Sequence, residues 1–332
     1  TEDAQAYIDA LAENGDQDYS NIYKNFLNSM TTLQGLQEHV KPYAFQKNNP
    51  FANHANPGAL ADKNLAQNDI RGAILAFEAA VQQNPKDDIA WQKLGSCCAA
   101  YDMDDEAISA LTQSVKLHNG NLPALLELGV SYHNELNKIK SLGYLKEWIK
   151  YNDKYSGLID KFQTKKEHNF QYQSLFNELT QMYLAAVRID PNDPVVFTVL
   201  GVLYNVSSRF EEANGAFERA LELDPKNASL WNKLGATRAN GNKSNESIKC
   251  YKNALKFKPT YVRAWVNLGI AYANLNKYDE ACKYYLRALS LNSDCIHVWN
   301  YLKVACNVIN RKDLAQKCQY RDVKQFQKDF NF

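Results

Sequence analysis

The sequence predicts an all-α superhelix built from stacked helical hairpins, and three observations lead to this prediction. Tryptophans recur at a spacing of 34 residues, at Trp231, Trp265 and Trp299. A leucine follows each of them by three residues, and a glycine follows the first two by four residues. Alanines and prolines return at the same spacing, at Ala220, Ala254, Ala288, Pro191, Pro225 and Pro259. Several residue types that return in phase indicate a repeat architecture.

The same pattern occurs earlier in the chain, where it begins with Trp91 and returns one period later with Leu125. The segment AILAFEAAVQQNP, residues 73–85, fits the second helix of a still earlier unit. The order W-x2-L-G-x2-Y, then A-x3-F, then P is typical of the tetratricopeptide repeat. One such hairpin cannot bury its own apolar face, so its neighbours must stack on it. The positions that carry the earlier pattern are Trp91, Leu94, Gly95, Ala107, Leu125, Leu128, Gly129 and Tyr132.

The chain is expected to contain five segments in order. Residues 1–50 form an N-terminal helical or extended segment outside the repeat pattern, and residues 51–153 form a first triplet of repeats. Residues 154–191 lack the Trp-Leu-Gly run but keep the phase of a second helix, which predicts a degenerate hinge repeat with a polar loop at 160–169. Residues 192–293 form a second triplet, and residues 294–332 form a C-terminal helical bundle that caps the superhelix.

The composition limits the possible functions. Thirty-eight basic and thirty-seven acidic residues leave a formal net charge of +1, so no overall field attracts nucleic acid or anionic lipid. The seven cysteines are odd in number and form no C-x-x-C pair, which predicts reduced core cysteines rather than disulfides or a zinc site. The chain shows no secretory leader and no apolar run near 18 residues, so neither secretion nor membrane spanning is expected.

Asparagines occupy unexpected positions in the predicted helices, where their short amides compete with the backbone. If the tryptophan is repeat position 4, the positions 2, 5, 6, 9, 12 and 13 share one face of the first helix, because steps of three and four residues stay on one side. In stacked hairpins that face lines the concave groove. The residues at these positions include Asn134, Asn205, Asn232, Lys233, Ala236, Asn240, Arg263, Asn267 and Asn274.

Two explanations for the asparagines stay open at this point. Asparagine at position 13 is a common helix cap, and the pair Asn240-Gly241 is also typical of a simple turn. Asn232 and Asn267 lie in mid-helix, where capping explains nothing. Side-chain amides pair with the main chain of an extended peptide, and Arg263 attracts a carboxylate. The face therefore predicts a groove for the free end of a polypeptide.

Five phrases of the sequence carry a resemblance to a known family. FEAAVQQNP, LWNKLGATRANGN, YVRAWVNLGIAYANL, SYHNE and GVLYN are together similar to the cargo-binding domain of the peroxisomal targeting signal type 1 receptor, over about residues 42–332. The resemblance implies that two repeat triplets clasp the C-terminal Ser-Lys-Leu-type tripeptide of cargo proteins. It also implies a receptor that cycles between the cytoplasm and the peroxisome or glycosome membrane, where an N-terminal region meets docking proteins. No Trp-x-x-x-Phe/Tyr docking motif is present here, so the chain is expected to be a fragment.

The matching motifs also imply roles for individual residues. Val130, Lys233 and Ala236 complete the pocket for the end of the peptide, and Glu135 attracts the basic middle residue of the signal. His133 stands where family members usually carry threonine; either it makes binding mildly sensitive to pH or it is a plain solvated histidine, the account that the sequence favours. The residues implied to bind the peptide directly are Asn134, Asn232, Asn240, Arg263, Asn267 and Asn274.

Other classes of protein fit the sequence less well. A co-chaperone repeat domain would need a two-carboxylate clamp, but His297 and Tyr301 occupy two of its positions. An RNA-reading repeat would need a basic groove. The sequence contains no G-x-S-x-G, P-loop, H-E-x-x-H or paired Cys ligands, so no enzyme, catalytic residue, metal or cofactor is predicted. A co-chaperone or assembly scaffold that binds another peptide terminus stays as the alternative.

Overall fold

The computed structural model describes residues 32–162 and 172–332. Helices are the only regular secondary structure in these two ranges, and most of them form hairpins of a 13-residue helix followed by a 14-residue helix. The prediction of an all-helical repeat fold is therefore confirmed.

The first part of the chain forms a short helix and three hairpins. The short helix α1 spans Leu33–Leu36. The hairpins are α2 and α3 (Pro57–Ala66, Ile70–Gln83), α4 and α5 (Asp88–Ala100, Asp104–Leu117), and α6 and α7 (Leu122–Asn134, Lys138–Tyr151).

A less regular pair follows, α8 (Gly157–Phe162) and α9 (Tyr172–Ile189), and residues 163–169 of the predicted polar loop lie outside the described residues. Three regular hairpins come next: α10 and α11 (Pro194–Val206, Phe210–Leu223), α12 and α13 (Ala228–Asn240, Ser244–Phe257), and α14 and α15 (Val262–Asn274, Tyr278–Leu291). The chain ends with α16 (Ile296–Val308), α17 (Lys312–Lys317) and two 3-10 helices at Cys318–Tyr320 and Val323–Phe326.

The glycine at repeat position 8 allows the two helices of a hairpin to approach closely. A Cβ atom on Gly235 would lie 2.6 Å from Cε1 of Tyr251, and one on Gly269 would lie 2.5 Å from Cε1 of Tyr285. Real Cβ atoms do not come this close to another carbon, so the side chain of the second helix occupies the space that any other residue would need. The repeated glycine thus fixes the distance between the helices.

Where position 4 is a tryptophan, its indole joins the hairpin to the turn before it. The indole Nε1 of Trp231 donates to the carbonyl oxygen of Pro225 at 2.9 Å, and Trp265 donates to that of Pro259 at 2.8 Å. Both indoles are half-buried, and such an acceptor satisfies the N–H group. The spacing of tryptophan and proline therefore reflects one hydrogen bond that is repeated along the chain.

The turn inside each hairpin contains one residue in the left-handed conformation, two residues after the first helix ends. In α12 this residue is Asn242, with φ of 61°, while Gly241 has φ of −80°. The N–H of Lys243 then donates to the carbonyl of Arg238 at 2.7 Å, which closes a Schellman-type turn. The amide of Asn240 takes no part in this turn. Equivalent left-handed residues are Asn68, Asp102, Leu136, Ser208, Asn276 and Asn310.

The superhelix closes on itself, because the end of α4 contacts the last repeats. The hydroxyl of Tyr101 donates to the carbonyl of Leu291, and Asn292 Nδ2 donates to the carbonyl of Tyr101 at 2.9 Å. Thr260 Oγ1 also donates to the carbonyl of Asn68 at 2.8 Å. One hydrophobic cluster joins residues from α2–α5 with residues from α13 onward. This closure encloses the concave side of the repeats.

All seven cysteines are free and buried, as the sequence predicted for core cysteines. Burial raises the pKa of the Cys97 thiol to about 12. Among the helices described, none combines the length and the apolar character that a membrane span requires.

The close approach at Gly235 leads to a prediction about stability. We expect Gly235→Ala to lower the free energy of unfolding by about 1–3 kcal/mol, because the new methyl group overpacks against Tyr251. Gly215→Ala is the matched control, since no atom lies within 4 Å of its Cβ position and alanine favours the helix of α11. Urea unfolding followed by circular dichroism measures both variants. Equal stability changes in the two would contradict the packing explanation.

Candidate functional site

The closed superhelix surrounds a partly open cavity of about 650 Å³ on its concave side. Six helices line it, the first helices of five hairpins and α16, and each contributes a residue near its middle or end. These residues include Ser96 of α4, Val130 of α6, Val202 of α10, Ala236 of α12, Ile270 of α14 and Tyr301 of α16. A cavity of this size is typical of ligand sites in proteins.

Most of the predicted site residues lie together in this cavity. Ten of the twelve line it: Val130, His133, Asn134, Asn205, Asn232, Lys233, Ala236, Asn240, Arg263 and Asn267. Asn274 lines a neighbouring surface pocket beside Ala239 and Asn242. Glu135 is exposed and lines neither of them. The repeat register therefore brings residues from four separate helices to one surface.

Asn232 and Asn267 form a pair of amides on adjacent helices. Asn267 Nδ2 donates to Asn232 Oδ1 at 3.1 Å. The remaining donor of this pair is Asn232 Nδ2, and the remaining acceptor is Asn267 Oδ1. Neither atom makes a hydrogen bond within residues 32–162 and 172–332. Asn232 is only 6% exposed, so its environment is largely desolvated. The pair offers one donor and one acceptor, the combination that a peptide unit requires.

Asn205 adds a buried acceptor to the cavity wall. Its Nδ2 donates to Thr237 Oγ1 at 2.8 Å. Its Oδ1 is buried and has no hydrogen-bond donor in the described part of the chain. An unsatisfied buried acceptor costs about 1–3 kcal/mol, so a ligand that donates here would remove that cost. Asn134 and Asn240 are exposed at the edge of the same cavity.

Arg263 is held by acidic groups of the first triplet. Its Nη2 lies 2.7 Å from Asp104 Oδ1 and 3.3 Å from Asp102 Oδ1, and its Nε donates to the carbonyl of Ala99 at 2.9 Å. Burial alone would lower the pKa of Arg263, but the charges of Asp102 and Asp104 raise it above its ordinary value. The positive charge of Arg263 is therefore compensated within the protein, and the contact helps to close the superhelix.

Lys233 provides a cation without such compensation. Its Nζ donates to Ser229 Oγ at 2.6 Å, and no ion pair with a carboxylate occurs among the residues described. Burial lowers the pKa of Lys233 to about 8; Glu127 opposes this shift, and the charge of Arg263 adds to it. A desolvated ammonium group of this kind favours an anionic partner. The cavity is thus better prepared for an anion at Lys233 than at Arg263.

The cavity is also lined by Ser96 and Glu127, which were not among the predicted site residues, and the charge of Glu127 acts on Lys233. Ser96 Oγ is 2.7 Å from both Oε1 and Oε2 of Glu127, and burial raises the pKa of Glu127. Glu127 occupies repeat position 6 and Ser96 occupies position 9, so the same register that selected Lys233 and Ala236 would have found them. A serine and a carboxylate at these positions do not by themselves indicate a site for a peptide terminus, so the sequence did not predict them.

Three carboxylates, of Glu135, Asp104 and Asp105, form an acidic edge near the end of α6, outside the residues that line the cavity. Burial raises the pKa of Glu135, the charges of Asp104 and Asp105 raise it further, and the charge of Arg263 opposes them. His133 is half-buried in the cavity wall, and burial, followed by the charge of Lys138, lowers its pKa. His133 is therefore neutral near pH 7. A basic group of a ligand would be attracted to this acidic edge.

Comparisons with known proteins agree with the repeat architecture. Family models described as tetratricopeptide repeat match residues 59–121, 216–249 and 262–295, and one described as TPR repeat matches residues 239–276. The match to a crystal structure of MamA protein covers 61% of this chain and 91% of the MamA chain, with 21% identity and a TM-score of 0.33. No argument is drawn from a match at this TM-score.

Two curated relatives have names that describe peroxisomal proteins. "Peroxisome biogenesis protein 5" of Arabidopsis thaliana is 37% identical over 192 residues, which cover 58% of this chain and 25% of the relative. "Peroxisomal targeting signal receptor" of Yarrowia lipolytica is 33% identical over 219 residues, which cover 56% of this chain and 36% of the relative. The chain thus spans between a quarter and little more than a third of these relatives. Receptor relatives and repeat models together confirm the prediction that the chain is not an enzyme.

The ion cluster at the closure leads to a prediction about pH. His297 Nε2 lies 2.8 Å from Asp102 Oδ2, and this hydrogen bond raises the pKa of His297 above its ordinary value of 6.5. Although burial alone would raise the pKa of Asp102, His297 and Arg263 lower it, so Asp102 stays ionised. Protonated His297 thus stabilises the fold below about pH 6.5, and this contribution is lost as the pH rises through the raised pKa.

We therefore expect His297→Gln to lower the melting temperature more at pH 5.5 than at pH 8.5. Thermal unfolding of both proteins across this range measures the difference. His118→Gln is the control, because His118 pairs with Asp88 at 3.1 Å but is 61% exposed, and exposed ion pairs contribute little. A His297→Gln effect that is constant with pH would exclude a charged contact at the closure.

Proposed function

Since this chain is a tetratricopeptide-repeat protein related in sequence to the peroxisomal targeting signal receptors, we propose that it binds the carboxyl terminus of peroxisomal cargo proteins. It acts as the cargo-binding part of an import receptor that collects its cargo in the cytoplasm and cycles to the peroxisome or glycosome membrane. Docking proteins are met there through an N-terminal region that lies outside this chain.

The observation that carries this proposal is the buried ammonium of Lys233, which makes no direct ion pair among the described residues and lies beside the Asn232–Asn267 pair. A terminal carboxylate that enters the cavity gains an ion pair with Lys233 in a desolvated environment, where charge-assisted hydrogen bonds are strong. Arg263 adds positive potential from the same wall, although Asp102 and Asp104 already hold its guanidinium. A carboxylate is the one anionic group that every protein chain carries at its end.

The amides recognise the main chain near that terminus. Asn232 Nδ2 donates to a peptide carbonyl, and the acceptors Asn267 Oδ1 and Asn205 Oδ1 receive peptide N–H groups or a serine hydroxyl. Asn134 and Asn240 bind further main-chain groups from the cavity edge, and Asn274 extends the row beyond it. Main-chain recognition of this kind holds an extended peptide without reading its side chains.

Side-chain preferences come from the remaining surfaces. Val130, Ala236 and Ile270 provide an apolar area for a terminal leucine-like side chain. The acidic edge formed by Glu135, Asp104 and Asp105 attracts a basic middle residue. The cavity therefore suits a C-terminal tripeptide of the Ser-Lys-Leu type, in which small, basic and apolar residues follow one another.

The charge of the terminus provides the first test of this function. We expect a labelled peptide that ends in Ser-Arg-Leu with a free carboxylate to bind more tightly than its C-terminal amide. Above about pH 8 its affinity falls by up to tenfold per pH unit, because Lys233 loses its proton in the free protein. Fluorescence polarisation between pH 7 and pH 9.5 measures both effects, and the arginine in the peptide does not titrate there.

Two controls make this experiment specific. The amide peptide lacks the carboxylate, so its affinity should not follow the titration of Lys233. In Lys233→Met the acid peptide should bind more weakly at pH 7 and show no slope above pH 8. Equal binding of acid and amide would remove the carboxylate from the mechanism, and binding of neither peptide would favour an assembly scaffold or co-chaperone with another ligand.

The amide pair provides a second test. We expect Asn232→Ala and Asn267→Ala each to weaken binding of the acid peptide by about 1–3 kcal/mol, because each removes a hydrogen bond in a desolvated site. The two losses should not add in the double variant, since the amides also bond to each other at 3.1 Å. Titration calorimetry measures the affinities, and circular dichroism checks the fold. Strictly additive losses would show that the amides act independently.

A further inference from the structure

Glu127 is a carboxylate on the cavity wall that has spare hydrogen-bond acceptors. Its Oε1 and Oε2 both lie 2.7 Å from Ser96 Oγ, so one hydroxyl group serves two oxygens. Ser96 Oγ is itself held by Gln92, whose Nε2 donates to it at 2.7 Å. In the described part of the chain, the carboxyl group of Glu127 makes no other hydrogen bond and no ion pair. Because a carboxylate accepts about four hydrogen bonds, most of its capacity is left for a ligand.

The charges near Glu127 determine which kind of ligand group can use these acceptors. Burial raises the pKa of Glu127, whereas the hydrogen bond from Ser96 and the charges of Lys233 and Lys258 lower it. Both lysines also line the cavity. A cation beside Glu127 would be repelled by two ammonium groups, and an anion would be repelled by the carboxylate. A neutral group with a hydrogen-bond donor avoids both repulsions.

Glu127 lies beside the part of the cavity that suits the last residue of a peptide. It precedes Val130 by three residues, so the two side chains share a face of α6. Lys233 precedes Ala236 by the same step on α12, and its charge acts on Glu127. The terminal carboxylate and the terminal side chain leave the same Cα atom. A side chain that accompanies the carboxylate to Lys233 therefore enters the space between Val130, Ala236 and Glu127.

The cost of leaving these acceptors without a partner favours a polar side chain in this space. A leucine or methionine side chain fills the apolar area, but it removes water from Glu127 and offers no donor in return. In a wholly apolar pocket a glutamine side chain would be rejected, because burial of an amide without a partner is costly. Beside Glu127 the methylene groups of glutamine cover the apolar area and its amide donates to the carboxylate.

We propose that Glu127 determines specificity for the last residue of the cargo, by accepting a hydrogen bond from an uncharged polar side chain such as an amide or a hydroxyl. Ser96 is a positioning residue, since it acts by holding the carboxyl group of Glu127. This inference rests on the proposed function, because it requires a peptide terminus in the cavity. It adds that the cavity accepts signals with a polar last residue as well as those of the Ser-Lys-Leu type.

The test compares three labelled peptides that differ only in the last residue and end in Ser-Arg-Met, Ser-Arg-Gln or Ser-Arg-Lys with a free carboxylate. Methionine and glutamine have nearly the same length and shape, so the ratio of their affinities measures the contribution of the amide. We expect the glutamine and methionine peptides to bind the unmodified protein with comparable affinity, and the lysine peptide to bind more weakly than the glutamine peptide.

Glu127→Met should change the ratio of the glutamine and methionine affinities by about tenfold to a hundredfold in favour of methionine, because a hydrogen bond to a charged acceptor is lost. Removal of the negative charge near Lys233 strengthens binding of all three carboxylates in this variant, and that effect cancels in the ratio. Fluorescence polarisation measures the affinities, and circular dichroism checks the fold.

Glu222→Met is the matched control, since the side chain of Glu222 is 64% exposed on α11 and does not line the cavity. It should keep the ratio of the unmodified protein. If the methionine peptide binds but the ratio is the same with and without Glu127, the inference is wrong and the proposed function stands. If none of the three peptides binds, both proposals fail. Tightest binding of the lysine peptide would make Glu127 a site for a cation and would overturn the inference.

Discussion

The candidate site depends on the contact that joins the two ends of the superhelix. Asp102 lies in a left-handed turn after α4, its side chain is only 8% exposed, and it meets both Arg263 and His297. Buried charges are costly unless each has a partner, and this cluster provides partners for all of them. A stack of repeats can otherwise vary in pitch, so the cluster sets the width of the cavity. This contact joins the wall of the cavity at α4 to its wall at α14 and α16.

The two cations of the cavity wall have different environments and therefore different roles. The guanidinium of Arg263 is suited to a fixed contact, because it presents several N–H donors in a rigid plane to Asp102, Asp104 and a carbonyl. Among the described residues, the ammonium of Lys233 has only the hydroxyl of Ser229 as a hydrogen-bond partner, and burial lowers its pKa. The sequence suggested that Arg263 would meet the carboxylate. The structure makes Lys233 the cation with more to gain from an anion.

The repeat period predicted the hairpins well, because each hairpin is held by contacts between residues that are close in sequence. Gly235 packs against a residue close in sequence, and Trp231 bonds to another, so the repeat spacing alone predicts both contacts. The closure could not be predicted in this way, since Tyr101 and Leu291 are 190 residues apart and belong to no period. The register likewise predicted that Asn232 and Asn267 share a face, but not that they bond to each other. It also left open whether Asn240 served the turn, a role that Asn242 performs.

The closed arrangement changes how such an array should lose its structure. In an open stack the terminal hairpins have a neighbour on one side only, so they fray before the middle does. Here the carbonyl of Asn68 and the backbone of Tyr101 bind residues from the opposite end of the chain, and both ends share one hydrophobic cluster. Loss of either end would expose the other. The circle of repeats therefore has no weakest end and should melt as a single cooperative unit, with amide exchange that is slow in the first and the last repeats alike.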